Sequence, residues 1–142
     1  MGAELRLAQQ IHASLVPPID MRLSGVEIHA RSIASSEMGG DLIDALQHAD
    51  RLDMVLADVS GHGVRAGVVM GMLKAALRAR LQRPCSEDLG AVLRDQNAVL
   101  SPLVTPGMFA TLAAVRIDDA ESTAANRTVH CAIAGHLPIL RI

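Results

Sequence analysis

The sequence is poor in aromatic residues: it has no tryptophan and no tyrosine, and Phe109 is its single phenylalanine. Its formal net charge is only −2, from 13 basic and 15 acidic side chains, so it also lacks an excess of lysine and arginine. Proteins that bind single-stranded nucleic acid stack bases on aromatic rings, and nucleic-acid binders in general carry a basic surface. These two shortages argue against a nucleic acid as partner.

Cysteine is scarce as well, with Cys85 and Cys131 far apart and no C-x-x-C spacing. This excludes a disulfide framework and a zinc ribbon, and it favours a reducing cytoplasm. Cys131 alternates with apolar neighbours, which predicts a core position. No signal peptide is recognised, because Glu4 and Arg6 interrupt the N-terminus. The apolar stretch 67–81 contains basic residues and is shorter than the roughly 20 residues that a membrane span needs.

What the chain does have is hydrophobic periodicity, since half of its 142 residues are hydrophobic. Helical spacing predicts a first helix over 3–15, a long helix from Val64 to Gln82 and another from Glu87 to Leu100 with Ser86 as N-cap. Alternation predicts strands over 26–30, 109–117 and 128–133. The segment 41–47 is ambiguous by periodicity, but the acidic turn Asp50-Arg51 followed by the stretch 52–57 indicates a hairpin whose second strand is buried. This order indicates an α+β fold in which helices cover an antiparallel sheet.

Two acidic loops stand out in this pattern. Asp41 follows Gly39-Gly40, with Asp44 beyond it, and Asp58 opens the stretch Asp58-Val59-Ser60-Gly61-His62-Gly63. The predicted hairpin brings Asp41 near Asp58, and neighbouring carboxylates repel each other unless a cation such as Mg²⁺ or Mn²⁺ lies between them. The alternative is that Asp41 caps a turn and Asp58 caps the helix near Val64, and spacing alone leaves both interpretations open.

Histidines lie in two glycine-containing turns. His62, between Gly61 and Gly63, is more typical of a turn residue than of a general acid or a zinc ligand. Gly135-His136 forms a similar turn, and the two turns line one cleft if the two hairpins face each other. Ser60 lacks the G-x-S-x-G context of a nucleophile, and the glycine-rich loop lacks the P-loop ending, so neither covalent catalysis nor a P-loop is indicated.

With these residues in view, the chain resembles the bacterial PPM-type (PP2C-like) serine/threonine phosphatases of the SpoIIE and RsbU group. Nearly the whole chain is covered by motifs in the order found in that family. They are Gln9-Gln10-Ile11 with Leu15-Val16-Pro17, Gly39-Gly40-Asp41, Asp58-Val59-Ser60-Gly61-His62-Gly63, Met108-Phe109-Ala110-Thr111-Leu112 and Ala134-Gly135-His136-Leu137-Pro138.

The resemblance implies an antiparallel β-sandwich flanked by helices, in αββα layers, and a catalytic site with two Mn²⁺ or Mg²⁺ ions that activate a water molecule. It assigns Asp58 as the bridging metal ligand, with the Val59 backbone carbonyl beside it, and Asp41 as a further catalytic ligand. Asp44, Gly40, Gly61, His62, Gly63 and His136 are expected to line the site. The implied partner is a phosphorylated anti-anti-sigma-type protein in partner-switching signalling.

The resemblance divides the chain into a helix over 1–18, the end of an upstream signalling helix, and the N-terminal portion of a phosphatase domain over 19–142. Family members continue with further strands and a D-G-x-x-E-like turn that supply more metal ligands, and we expect this domain to be C-terminally incomplete. We therefore expect weak Mn²⁺ binding at one site and little activity. An uncovered apolar face near 128–142 favours aggregation or a homodimer. The alternative function is a non-catalytic protein-binding module.

Overall fold

Three helices and six strands make up the described part of the chain, which in this computed structural model comprises residues 2–23, 25–33, 38–83, 88–118 and 127–140. The helices are α1 (Gly2–Leu15), α2 (Val64–Leu81) and α3 (Leu89–Leu100). The strands are β1 (Ile19–Leu23), β2 (Val26–Ala30), β3 (Asp41–Gln47), β4 (Arg51–Val59), β5 (Ala110–Asp118) and β6 (Val129–Ala134). None of the described helices is long and apolar enough to cross a membrane.

All described strand pairs are antiparallel. Strands β3 to β6 form a four-stranded sheet in chain order, and β1 pairs with β2 in a separate two-stranded sheet. Both predicted hairpins are present in the large sheet, so the predicted α+β class is confirmed. Strand β1, five residues long, was not predicted, because it follows two prolines and is too short for its alternation to stand out.

The core lies between α2, α3 and one face of the large sheet. Strand alternation turns Leu42, Val55 and Val59 toward α2, where they pack in one cluster with Met70 and Leu73. Every second residue of β4 near its end is buried, whereas Leu56 and Asp58 between them are exposed. Asp58 is thus displayed on the side of the sheet away from α2.

The opposite face of the large sheet is apolar and partly open. Leu56, Val129 and Ile133 are exposed there, although Ile19 and Ile28 of the small sheet share a cavity of about 300 Å³ with Ile43 and Met54. Cys131 also lies on this face, opposite Val115, and its thiol is free and exposed. The predicted core position of Cys131 is therefore wrong, because alternation fixes its face but not what covers that face.

The N-terminus of α3 differs from the prediction. Asp88 is the N-cap, and its carboxylate accepts a hydrogen bond of 2.7 Å from the Ala91 N–H, so the helix begins at Leu89 and not at Glu87. The predicted cap Ser86 lies outside the described residues. Asp and Ser are equally good caps, and the sequence could not decide between two candidates two positions apart.

A buried ion cluster closes the end of the sheet away from Asp58. Asp53, which is 1% exposed, accepts hydrogen bonds from Arg116 at 2.6 Å and from Arg51 at 3.1 Å. Arg51 also donates to the carbonyl oxygens of Leu81 and Arg83 at the end of α2. The cluster therefore joins β4 and β5 to the C-terminus of α2.

Candidate metal site

Asp41 and Asp58 are direct neighbours across the β3–β4 hairpin. The Val59 N–H donates to the Gly40 carbonyl at 3.2 Å, and hydrogen-bonded and non-hydrogen-bonded pairs alternate along an antiparallel ladder. The next pair, Asp41 with Asp58, is therefore of the non-hydrogen-bonded type, in which the Cα atoms are about 4.5 Å apart and the side chains lie closest. Both side chains are exposed on the same face.

This pair fits a divalent cation. Like charges directly opposite each other destabilise a sheet, and among the described residues neither carboxylate has a hydrogen bond or an ion pair. Neither serves as a cap: Asp41 lies within β3, and the N-cap of α2 is Gly63, with no side-chain cap bond. The same described residues contain no group of three or more His, Cys, Asp or Glu side chains placed to hold a metal ion. The pair therefore supplies two adjacent carboxylates without partners among the described residues, fewer than such a group contains.

The chain that leads into Asp41 is held in place by backbone contacts. A Cβ atom at Gly40 would collide with the Val59 carbonyl oxygen, so only glycine lets the two strands approach this closely. The same observation shows that the Val59 carbonyl faces Gly40. The Met38 carbonyl accepts a hydrogen bond of 3.1 Å from the Gly63 N–H. The Gly40 segment and the turn after Asp58 therefore form one unit.

The turn after Asp58 is fixed to the start of β5. Ser60 donates its N–H to the Phe109 carbonyl at 2.8 Å, and the Phe109 N–H donates to Ser60 Oγ at 2.9 Å. Gly61 and Gly63 have φ angles of 93° and 76°, which side-chain-bearing residues rarely adopt. These glycines turn the chain so that His62 is exposed.

This turn also borders a cavity of about 410 Å³ between the start of α2 and the segment before β5. Its lining residues are Ser60, Gly61, His62, Arg65, Ala66, Gly107 and Met108. His62 and Arg65, four and seven positions beyond Asp58, supply a hydrogen-bonding group and a cationic group. The cavity therefore lies beside the turn that follows Asp58, although neither Asp41 nor Asp58 is among its lining residues.

Thr111 and His136 extend the row of polar side chains beyond Asp58. Thr111 is the register partner of Asp58 on β5, and its Oγ1 atom lies 2.7 Å from His136 Nδ1. Gly135, with a φ angle of 65°, turns the chain at the end of β6 so that the His136 ring reaches Thr111. The structure thus brings Asp41, Asp58 and His136 into one neighbourhood.

Asp44 does not lie in this row. It is three positions beyond Asp41 on a strand, so its side chain points to the opposite face, where Arg78 donates two hydrogen bonds of 2.7 Å to it and Lys74 Nζ lies 3.3 Å away. The pKa of Arg78 is raised above its usual value, chiefly by its hydrogen bonding to Asp44. Burial acts in the opposite direction, and the negative charge of Asp44 raises the pKa further. The expectation that Asp44 lines the site is corrected: it is a buried ion-pair partner of α2.

Two contacts at the site were not predicted from the sequence. Thr111 lies opposite Asp58 in the β4–β5 register, but α2 and α3 separate these strands in the chain, so no connecting turn sets this register in the sequence. The contact between His12 of α1 and Gly39, at 3.0 Å, joins residues that are 27 positions apart, and no local sequence pattern predicts it.

Comparison with known proteins assigns the family. A family model described as Stage II sporulation protein E (SpoIIE) matches residues 48–142, more than half of the chain. The chain is 25% identical over 110 residues to "Phosphoserine phosphatase RsbU" of Bacillus subtilis (strain 168), covering 78% of this chain and 32% of that protein. It therefore spans about a third of the length of this relative.

A solved structure, that of the RsbU and RsbW domains of Rv1364c from Mycobacterium tuberculosis, superposes with a TM-score of 0.52 and 33% sequence identity over 61% of this chain and 24% of that one. The helices and antiparallel sheets described above agree with this RsbU-like fold. On the family match, the relative and the shared fold together, the chain belongs to the SpoIIE family, the PPM-type group that its motifs resemble.

Proposed function

We propose that this chain carries part of the catalytic site of a metal-dependent protein serine/threonine phosphatase. The observation that carries the proposal is the direct pairing of Asp41 with Asp58 on an exposed face, in a chain of the SpoIIE family. Residues 19–142 are assigned to the phosphatase domain in this proposal, and residues 1–18 to a helix that leads into it.

Each residue of the site has a separate role in this proposal. Asp58, on a central strand, would be the ligand shared by the metal ions, Asp41 would be a ligand from the neighbouring strand, and the Val59 carbonyl would add a neutral ligand. When bound, Mn²⁺ or Mg²⁺ would supply an acidified water and neutralise charge on the phosphoryl group. Gly40 permits the close strand approach, and Ser60 holds the turn that carries His62. No residue of the site forms a covalent intermediate in this proposal.

The substrate in this proposal is a phosphoserine or phosphothreonine of an anti-anti-sigma-type protein. One relative is named a phosphoserine phosphatase, and the solved neighbour joins an RsbU domain to an RsbW domain in one protein, which supports a role in partner switching. The free thiol of Cys131 fits a reducing compartment such as the cytoplasm.

Substitution of the central carboxylate tests the proposal. Asp58→Asn keeps the shape of the side chain and removes its charge, so we expect Mn²⁺ affinity, measured by calorimetric titration, to fall at least about tenfold. Hydrolysis of a phosphoserine protein, in a longer chain that contains residues 1–142, should be lost. The matched control is Asp50→Asn, at a 61% exposed position in the β3–β4 turn. Unchanged Mn²⁺ affinity and turnover in Asp58→Asn would refute the assignment.

The second candidate function, a non-catalytic protein-binding module, is favoured by the small donor set. The described residues supply two neighbouring carboxylates and no larger cluster, whereas a two-ion site needs ligands on both ions. We expect the 142-residue chain alone to bind Mn²⁺ weakly, at one site, with little turnover. Two tight sites and brisk hydrolysis would contradict the module and the partial-site proposal alike.

A further inference from the structure

A cavity of about 200 Å³ lies on the helical side of the large sheet, between α2, α3 and the strands β5 and β6. Its wall is mainly aliphatic and includes Val69, Leu73, Leu93 and Leu112. A dry cavity of about 150 Å³ with a wall of this kind is enough to bind benzene. The cavity is therefore large enough for one small ring.

One polar atom of a side chain in this wall lacks a hydrogen-bond partner among the described residues. Gln96 is 4% exposed, it lines the cavity, and its Oε1 atom is enclosed without a hydrogen bond among the described residues. An enclosed amide oxygen without a partner is unfavourable, and such groups are usually satisfied. Gln96 therefore brings an amide with unmet hydrogen-bonding capacity to the wall of the cavity.

The residues that line the cavity favour a neutral ligand. None of the described residues that line the cavity carries a formal charge, so a charged ligand would lose its hydration without a counter-ion. The two ends of a glutamine amide exchange places by rotation about the last side-chain bond. A hydroxyl group suits either end, because it both donates and accepts.

We propose that this space, called here the Gln96 cavity, binds a small neutral molecule made of an apolar ring and one hydroxyl group, with the hydroxyl bonded to the Gln96 amide. This site is separate from the Asp41–Asp58 pair and does not depend on the proposed phosphatase function.

The Gln96 cavity touches the segment that holds the turn after Asp58. Met108 lines both this cavity and the one beside Ser60. Phe109, also in the wall, accepts a hydrogen bond from the Ser60 N–H at its carbonyl and donates its N–H to Ser60 Oγ. An occupant therefore contacts residues that are one hydrogen bond away from the turn, and its binding should be detected at Ser60 as well as in the cavity.

Phenol, with toluene as its hydroxyl-free analogue, is the probe for this proposal. In amide-resolved NMR titrations of the 142-residue chain, we expect phenol to shift the resonances of Leu73, Leu93 and Leu112 in a saturable way, with a smaller shift at Ser60. Toluene should bind at least about fivefold more weakly, because it leaves the amide unpaired. Absence of saturable shifts at the three leucines, or equal affinity for both compounds, would overturn the proposal.

Two substitutions locate the binding. Gln96→Leu should abolish the preference for phenol over toluene, whereas Gln10→Leu, the same change at an exposed position of α1, should keep it. Leu93→Phe adds a larger side chain to the wall and should abolish the phenol shifts. Circular dichroism checks that each variant is folded. If Gln96→Leu does not fold, the test is the comparison of phenol-induced shifts in wild type and in Leu93→Phe. Phenol shifts that persist in Leu93→Phe would place the ligand elsewhere and refute the site.

Discussion

His12 Nε2 lies 3.0 Å from the Gly39 carbonyl oxygen and 3.2 Å from the Gly39 nitrogen. A neutral imidazole nitrogen either donates or accepts, so one of these two hydrogen bonds exists in each tautomer. His12 is buried in α1, and Gly39 is two residues before Asp41. The contact fixes the first helix to the segment that delivers a carboxylate to the candidate metal site.

His12→Ala should loosen that segment and weaken Mn²⁺ binding by about threefold to tenfold, with a loss of unfolding free energy of about 1 to 2 kcal/mol for the unmade hydrogen bond. His12→Gln, whose amide both donates and accepts, should recover most of the loss. Calorimetric titration and thermal unfolding measure the two effects. His29→Ala, at an exposed position of β2, is the control, and equal Mn²⁺ affinity in His12→Ala and His29→Ala would contradict the prediction.

Gly40→Ala tests the close approach of β3 and β4. Its Cβ would collide with the Val59 carbonyl oxygen, so the strands must separate, and we expect a loss of about 1 to 3 kcal/mol in unfolding free energy together with weaker Mn²⁺ binding. Gly71→Ala, in α2, is the matched control: its nearest contact is an ordinary 3.5 Å to Leu15, and alanine should stabilise the helix by about 0.5 to 1 kcal/mol. Denaturant unfolding should show opposite signs for the two variants, and a neutral Gly40→Ala would refute the argument.

Asp44→Asn separates stability from metal binding. The carboxylate is buried between Arg78 and Lys74, and its removal leaves both cations without their partner. Because the Arg78 side chain is 43% exposed, we expect a loss of about 2 kcal/mol, below the roughly 3 to 5 kcal/mol of a fully buried pair.

The control for this change is Asp95→Asn, whose half-exposed ion pair with Arg80 should contribute less than about 1 kcal/mol. Urea unfolding measures both variants, and Mn²⁺ titration of folded Asp44→Asn should match wild type. A marked fall in its Mn²⁺ affinity would return Asp44 to the candidate ligands.

Thr111→Val removes the hydroxyl that meets His136 Nδ1 and keeps the shape of the side chain. We expect the ring nitrogen resonances of His136 to change and the ring to become more mobile, because its one described hydrogen bond is lost. Nitrogen-15 NMR of the imidazole measures this, with Thr128→Val, at an exposed position, as control. An unchanged His136 spectrum would show that Thr111 does not orient the ring.

The hairpin that carries the candidate site was predictable from sequence. The acidic turn Asp50-Arg51 before the buried stretch 52–57 predicted a hairpin that brings Asp41 near Asp58, and the register confirms this pairing. Strand geometry then puts Asp44, three positions beyond Asp41, on the other face, a consequence that the family resemblance obscured.

Other features depend on tertiary contacts and were beyond local patterns. The exposure of Cys131 depends on what covers one face of the sheet, and the partners of His12 and Gln96 depend on how helices dock. The α3 cap was ambiguous because two good capping residues precede the helix.

The attachment of α2 differs at its two ends. Arg51 holds the carbonyl oxygens of Leu81 and Arg83 at 3.1 and 3.2 Å, whereas Gly63 at the first end gives no side-chain cap. The last turn is tethered to a buried arginine, whereas the first end is held by one backbone hydrogen bond from the Gly63 N–H to the Met38 carbonyl, so we expect local unwinding to begin at Val64. Amide hydrogen exchange should therefore slow along α2 from its start to its end. Unwinding at Val64 would loosen the helix beside the carboxylates while the buried ion cluster stays in place at the far end of the sheet.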